Sequence, residues 1–204
     1  RSRRTNLTSS CGASNCKFSR WFFCSSPLPG HLISKKIKIG VLGGTFDPAH
    51  RGHLEISKQA KKRFGLKNIV WAITKQNPFK DESKSNLRSR IQFAKKIIGK
   101  YDYIEVKFYE EKIGSNRTID LIKYLIKEKQ SEIYFIMGAD NLINFHKWYK
   151  WKSIVKKCNI LVFDRLGYKA KSLKSVTFNN TNSKNLTFIN FNKVNISSSQ
   201  LRKI

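Results

Sequence analysis

An α/β fold, a parallel sheet wrapped by helices in one domain, is what this sequence predicts, on three observations. Strand-like and helix-like patterns alternate from residue 37 onward, the signature of parallel strands joined by crossover helices. The longest apolar runs, around 69–73 and 159–163, are strand-sized, and none approaches the ~18–20 residues that span a bilayer. Glycines end two of the apolar stretches, at Gly43-Gly44 and at Gly138, where a strand can turn sharply towards its helix.

Taken in order, residues 37–43 form a strand running into glycines. A helix over 53–64 follows, with Lys58, Lys61 and Lys62 on its charged face and a stop at Gly65. Residues 69–73 are a short apolar strand. Leu87, Ile91, Ala94 and Ile98 step at helical spacing, which predicts an amphipathic helix over 86–99. Residues 103–106 make the next strand, and Thr118 opens a helix with Ile119, Ile122 and Ile126 on one face. Strands at 133–137, 160–163 and 186–191 bring the set to five or six. The polar Ser/Asn/Lys stretch between the last two, 169–184, reads as a surface loop, and no internal repeat is evident.

A chain of 204 residues with 40% hydrophobic and 12% aromatic content suits one such domain with a substantial core. Its 41 basic against 13 acidic residues give a net charge of +28, a field that attracts polyanions and small anions such as ATP. Two readings of that charge stand: a compositional bias towards lysine, or a nucleic-acid surface. The lysines are scattered and no block is paired with a regular aromatic platform, which favours bias. Cys11, Cys16 and Cys24 match no standard zinc spacing, and Cys158, before an apolar strand, is expected to be a buried thiol.

Residues 1–34 differ in kind: rich in Ser, Arg and Cys, with the first carboxylate of the chain only at Asp47. That composition fits an organelle transit peptide, mistranslated upstream sequence or an expression remnant, and predicts a poorly ordered segment.

The chemistry concentrates in one stretch, Gly43-Gly44-Thr45-Phe46-Asp47-Pro48-Ala49-His50-Arg51-Gly52-His53. The glycine pair lets backbone approach a ligand, and a helix starting near Gly52 aims free N–H groups at an anion. His50 and His53, three residues apart at that helix mouth, are placed to face one phosphate group. As zinc ligands they lack a third partner nearby and the His-Glu-x-x-His signature, so no protein-held metal is assigned.

This string closely resembles the signature of the nucleotidylyltransferase superfamily, whose core is His-x-Gly-His, here His50-Arg51-Gly52-His53. Within that superfamily the chain is similar to nicotinate-nucleotide adenylyltransferase. Gly138-Ala139-Asp140-Asn141-Leu142, followed by Phe145, Trp148, Trp151 and Ile154, resembles that family's Gly-Ala-Asp…Phe…Trp stretch. Asn116-Arg117-Thr118-Ile119-Asp120 lies where the family has a Tyr-Thr-x-Asp-like helix start, and Ile196-Ser197-Ser198-Ser199-Gln200-Leu201-Arg202 resembles its Ile-Ser-Ser-Thr-x-Ile-Arg motif. The resemblance covers roughly 37–202 and implies a Rossmann-like, doubly wound parallel sheet in a single nucleotidyltransferase domain over 35–204.

The activity it implies is attack by the phosphate of nicotinate mononucleotide on the α-phosphate of ATP, expelling pyrophosphate and giving deamido-NAD. ATP would be held by Gly43, Gly44, Thr45, Phe46, His50, His53, Gly138, Asp140, Ser198, Ser199 and Arg202. Of these, His50, His53 and Arg202 would act catalytically, and Asp140 would fix a ribose or the adenine side. Nicotinate mononucleotide would be held by Lys80, Asn116, Arg117, Thr118 and Trp148, with the pyridine ring on the Trp148 indole and Trp151 kept as a core aromatic. Mg²⁺ is expected to bind through the ATP phosphates, and Asp47 reads alternatively as a loop-capping carboxylate. Two departures bear on selectivity: Arg117 stands where the family usually has Tyr, and Phe79 replaces an expected Pro-His pair.

The chain stops at Ile204, immediately after the last motif, so its final helix is expected to be truncated and to hold Ser198, Ser199 and Arg202 loosely. A bacterial cytoplasmic enzyme, with a homo-oligomer open, is the expected setting. Two alternatives remain at this point: a pantetheine-phosphate adenylyltransferase-like enzyme, and a non-catalytic, basic nucleic-acid-binding derivative of the fold.

Overall fold

The computed structural model describes residues 36–77, 82–181 and 184–191. Among them, six strands pair in one parallel sheet: β1 (Lys38–Gly44), β2 (Asn68–Ile73), β3 (Ile104–Phe108), β4 (Glu132–Gly138), β5 (Asn159–Phe163) and β6 (Leu186–Ile189). The spatial order β3-β2-β1-β4-β5-β6 grows one way from β1 and then the other from β4. That reversal is the doubly wound arrangement expected, and it opens a crevice beyond the carboxyl ends of β1 and β4.

The strands read as nearly unbroken apolar runs because both faces of the sheet are buried. Alternate side chains separate into two cores. Val41, Val70, Phe135, Met137 and Val162 pack with Ile119, Ile122 and Leu125 of α4 (Thr118–Lys129) and Ile154 of α6 (Trp151–Lys157), and Ile113 of the short α3 (Glu110–Ile113) lies against them. Leu42, Trp71, Ile73, Ile136 and Phe163 pack on the other face with Ala60 of α1 (Arg51–Phe64) and Ala94 of α2 (Leu87–Ile98).

Helix ends follow their sequence signals. Gly65 takes the left-handed conformation (φ 64°) and donates its N–H to the Lys61 carbonyl at 3.0 Å, closing α1. Asn86 caps α2, its side chain accepting from the Ser89 N–H at 2.8 Å. α1 begins two residues before the predicted start because His50, rather than a later residue, caps it. Cys158 is buried as expected: its thiol donates to the Ile154 carbonyl, and burial pushes its pKa up to about 12.

The expectation of a surface loop over 169–184 is corrected. Two short helices occupy most of it, α7 (Lys169–Leu173) and α8 (Val176–Asn179), with Ser172, Ser175 and Thr177 buried. The hydroxyls that made the stretch look like a loop bond within its own turns. Ser172 Oγ donates to the Lys169 carbonyl at 2.7 Å, and Ser175 Oγ accepts from the Phe178 N–H at 3.2 Å. The readings of residues 1–34 and of the chain end from 192 lie outside the described residues. No helix among the described residues is long and apolar enough to cross a membrane.

Candidate active site

The crevice between β1 and β4 is a cleft of about 810 Å³ at the topological switch point, where α/β sheets take their ligands. One wall is the loop from β1 to α1, and another the turn from β4 into α5 (Ala139–Ile143). The start of α4 and the segment around the 3-10 turn Phe145–Lys147 close the far side.

In the first wall the two histidines cap each other. The His50 backbone N–H donates to His53 Nδ1 at 3.2 Å, and the Gly52 N–H donates to His50 Nδ1 at 3.1 Å. A ring nitrogen that accepts a backbone N–H is unprotonated, so in each neutral imidazole the proton sits on Nε2. The ring centroids are 3.8 Å apart, and the first turn of α1 holds no acidic residue. A helix N-terminus with neutral donors and no carboxylate of its own suits an anion. Burial, with a smaller contribution from Arg165, lowers the His50 pKa from 6.5 to about 4, so this ring is neutral at neutral pH.

The pair stands on an aromatic base. Phe46, 2% exposed, stacks on Trp71 with centroids 5.1 Å apart and touches the His53 ring at 4.8 Å. Its φ of 50° is left-handed, a conformation costing a bulky residue about 1–2 kcal/mol, and burial between the two rings holds it there. Trp71 Nε1–H donates to Ser57 Oγ at 2.9 Å, and Ser57 Oγ–H donates to the His53 carbonyl at 2.8 Å. Phe46 thus supports the histidines from below as well as lining the cleft.

At the second wall, Asp140 pairs with Arg165 at 2.9 Å. A Cβ on Gly138 would run into the Asp140 carboxylate, so the absence of a side chain at 138 is what lets Asp140 fold back over the end of β4. Arg165 lines the cleft just beyond β5 and, through its charge, reaches His50.

Across the cleft, Arg117 caps α4 without a side-chain hydrogen bond to the helix. Asn116, Arg117 and Thr118 all line the wall, together with Trp148 and Tyr149. Trp148 is half-buried, edge-on to Phe135 and tilted against Phe145. Trp151 packs against Phe145 on α6 and is not among the lining residues.

The structure therefore brings Gly43, Gly44, Thr45, Phe46, His50, His53, Gly138, Asp140, Asn116, Arg117, Thr118 and Trp148 around one cleft. Lys80, Ser198, Ser199 and Arg202 lie outside the described residues. Asp47 does cap a loop, though a distant one: its Oδ2 accepts the Lys84 N–H at 2.7 Å.

Three residues of consequence escaped the sequence reading. Arg90, 3% exposed, donates to the carbonyls of Thr45, Thr74, Lys75 and Ser85 at 2.6–3.1 Å, pinning the loops that leave β1 and β2. Its signal was a charge on the apolar face of α2, three residues after Leu87 and four before Ala94. Arg165 was marked only by its place after a strand end, and Tyr149 by following Trp148 directly.

A family model described as cytidylyltransferase-like matches residues 41–204, the class that this sheet and its histidine-capped loop define. The chain is 77% identical over 174 residues to a Pelagibacter ubique protein named "probable nicotinate-nucleotide adenylyltransferase", covering 85% of this chain and 97% of that one. A Bradyrhizobium protein of the same name is 39% identical over 131 residues, 63% of this chain and 68% of its own. In fold it is similar to Plasmodium falciparum nicotinic acid mononucleotide adenylyltransferase, solved in complex with NaAD, with TM-score 0.66, 22% identity and coverage of 82% and 83% of the two chains. The chain belongs to the nicotinate-nucleotide adenylyltransferase family.

Proposed function

We propose that this cleft transfers the adenylyl group of ATP to the phosphate of nicotinate mononucleotide, releasing pyrophosphate and deamido-NAD. The observation that carries the reading is the mutual cap of His50 and His53, which holds two imidazoles side by side at an acid-free helix mouth. The attacking phosphate is already an anion, so the protein needs neither a base nor a covalent intermediate. Its work is positioning and charge neutralisation.

His50 and His53 donate from Nε2 to phosphate oxygens of ATP, while the backbone at Gly43, Gly44 and Thr45 lets the nucleotide come close. Asp140 and Arg165 act as a pair, the carboxylate turned to a ribose or the adenine side and the guanidinium adding positive charge beside His50. Ser198, Ser199 and Arg202 receive the departing β- and γ-phosphates. Trp148 stacks on the pyridine ring, the helix start at 116–118, where the Arg117 backbone N–H is already held by Ser115 Oγ, meets its carboxylate, and Lys80 holds the mononucleotide phosphate.

Among the described residues no group of three or more His, Cys, Asp or Glu side chains is placed to hold a metal ion, and the cleft carboxylates Asp140, Glu110 and Asp164 each accept hydrogen bonds within the protein. That donor set fits a Mg²⁺ ion carried by the ATP phosphates, which needs few protein ligands. Such an ion supplies charge neutralisation along the triphosphate. The net charge of +28 serves the same anionic substrates by steering them in, without a nucleic-acid partner. A reaction that consumes ATP belongs where ATP is held, and we place it in the cytoplasm.

Pyrophosphate release from ATP, Mg²⁺ and nicotinate mononucleotide tests the reading, run beside phosphopantetheine and a His53→Ala control. Release with nicotinate mononucleotide that His53→Ala abolishes is the expected result. Release with phosphopantetheine alone, or with no acceptor at all, would overturn it.

A further inference from the structure

The Arg117 guanidinium lies over the Tyr149 ring, 4.1 Å from its centroid, and both side chains line the cleft. Tyr149 is 48% exposed, so the contact is not core packing. Among the described residues no carboxylate pairs with Arg117. Asp120, the acid nearest along the chain, is bonded by Ser115 Oγ–H and faces Lys123. Glu110 accepts from Thr74 Oγ1–H and the Lys75 N–H. A guanidinium stacked on an aromatic ring keeps its N–H fork free at the edge, and that fork matches the two oxygens of a carboxylate. Trp148, one residue before Tyr149, lines the same wall.

We infer that the Arg117 side chain, held on Tyr149, reads the carboxylate of the nicotinate ring and sets the preference for the acid over the amide mononucleotide. This rests on the proposed reaction and deepens it: the Arg117 backbone N–H already donates to Ser115 Oγ at 3.2 Å, so the donors this residue brings to the cleft are those of its guanidinium, and they carry the charge. A nicotinamide ring would offer the fork an NH₂ donor in place of one acceptor oxygen, and no charge. It would lose a charge-assisted hydrogen bond while keeping the ring stack.

The test compares kcat/KM for nicotinate and nicotinamide mononucleotides by pyrophosphate release in the unmodified chain, Arg117→Ala, Arg117→Lys and Tyr149→Leu. Arg117→Ala should lower the value for the acid about 10- to 100-fold, chiefly through KM, and change the amide by less than about threefold. Arg117→Lys should recover only part of the loss, because it restores charge without the fork. Tyr149→Leu should lower the acid-to-amide ratio in the same direction by loosening the guanidinium. Equal losses on both substrates would mean that Arg117 holds the shared phosphate or only the fold, and would overturn the inference. An unmoved ratio would do the same. Absence of release by the unmodified chain with either mononucleotide would overturn the reaction itself, and is seen before any variant is made.

Discussion

His50 and His53 each accept a backbone N–H from the same helix start, His53 from residue 50 and His50 from Gly52, and their rings lie 3.8 Å apart. One pair of side chains thereby caps the helix start and, in the proposed reaction, supplies two donors to phosphate. Structure and chemistry at this point can be separated by substitution.

His50→Asn keeps an acceptor suited to a helix N-cap but removes the Nε2 donor. Turnover should fall about 10²- to 10³-fold, as when a single donor to a developing charge is lost, while the melting temperature stays close to that of the parent. His50→Ala should lose the same turnover and about 1 kcal/mol of stability as well. Pyrophosphate release and thermal unfolding, measured on both variants, check this.

The His50 pKa, lowered from 6.5 to about 4 by burial and then by Arg165, predicts a stability profile. Between these values the unfolded chain binds a proton that the folded chain refuses, so stability falls as pH drops from 6.5 towards 4 and is level in this respect above 6.5. Urea unfolding across this range should show a steeper loss in the parent than in His50→Asn. Imidazole NMR titration of Arg165→Ala should find the His50 pKa moved upward.

Arg90→Met should destabilise by about 2–4 kcal/mol, because four carbonyls lose their donor in a buried place. It should also raise KM for ATP, since Thr45 in the loop after β1 is one of the four. Urea unfolding and steady-state kinetics read the two effects separately.

Gly138→Ala places a methyl group where the Asp140 carboxylate now lies. The carboxylate is the end of a flexible side chain, so the fold should yield there and stability should change by less than about 1 kcal/mol. The Asp140–Arg165 pair should break. Activity is expected to drop to a level similar to that of Asp140→Asn, and parent-like activity in Gly138→Ala would refute the coupling.

Trp148→Ala should raise KM for nicotinate mononucleotide about tenfold through loss of stacking, with KM for ATP little altered. Trp151→Ala should do the reverse, lowering the melting temperature while leaving both KM values near the parent's. Its ring packs on Phe145 outside the cleft.

Much of this was legible along the chain because it is local. Strand runs such as Ile133 to Met137, the stop at Gly65 and the amphipathic helix over 86–99 depend on neighbours within a few residues. So does the histidine pair, whose spacing alone sets both rings at one helix mouth. The stretch 169–184 misled because the hydroxyls of Ser172, Ser175 and Thr181 satisfy short helical turns as readily as a loop, and composition does not separate the two.

The sequence by itself determined the alternation of elements, the glycine- and histidine-bearing loop after the first strand and the resemblance that implies the reaction. Only the tertiary structure decided which distant groups complete the cleft. Arg90 reaches back 45 residues to Thr45, Asp47 forward 37 to Lys84, and Asp140 forward 25 to Arg165. Arg117 meets Tyr149 only because β4, α5 and the 3-10 turn fold back beside α4. These contacts join the ends of parallel strands, which crossover connections bring together in space while keeping them far apart in the chain. No local pattern encodes them, and they are where the cleft acquires its paired charges and its rigidity.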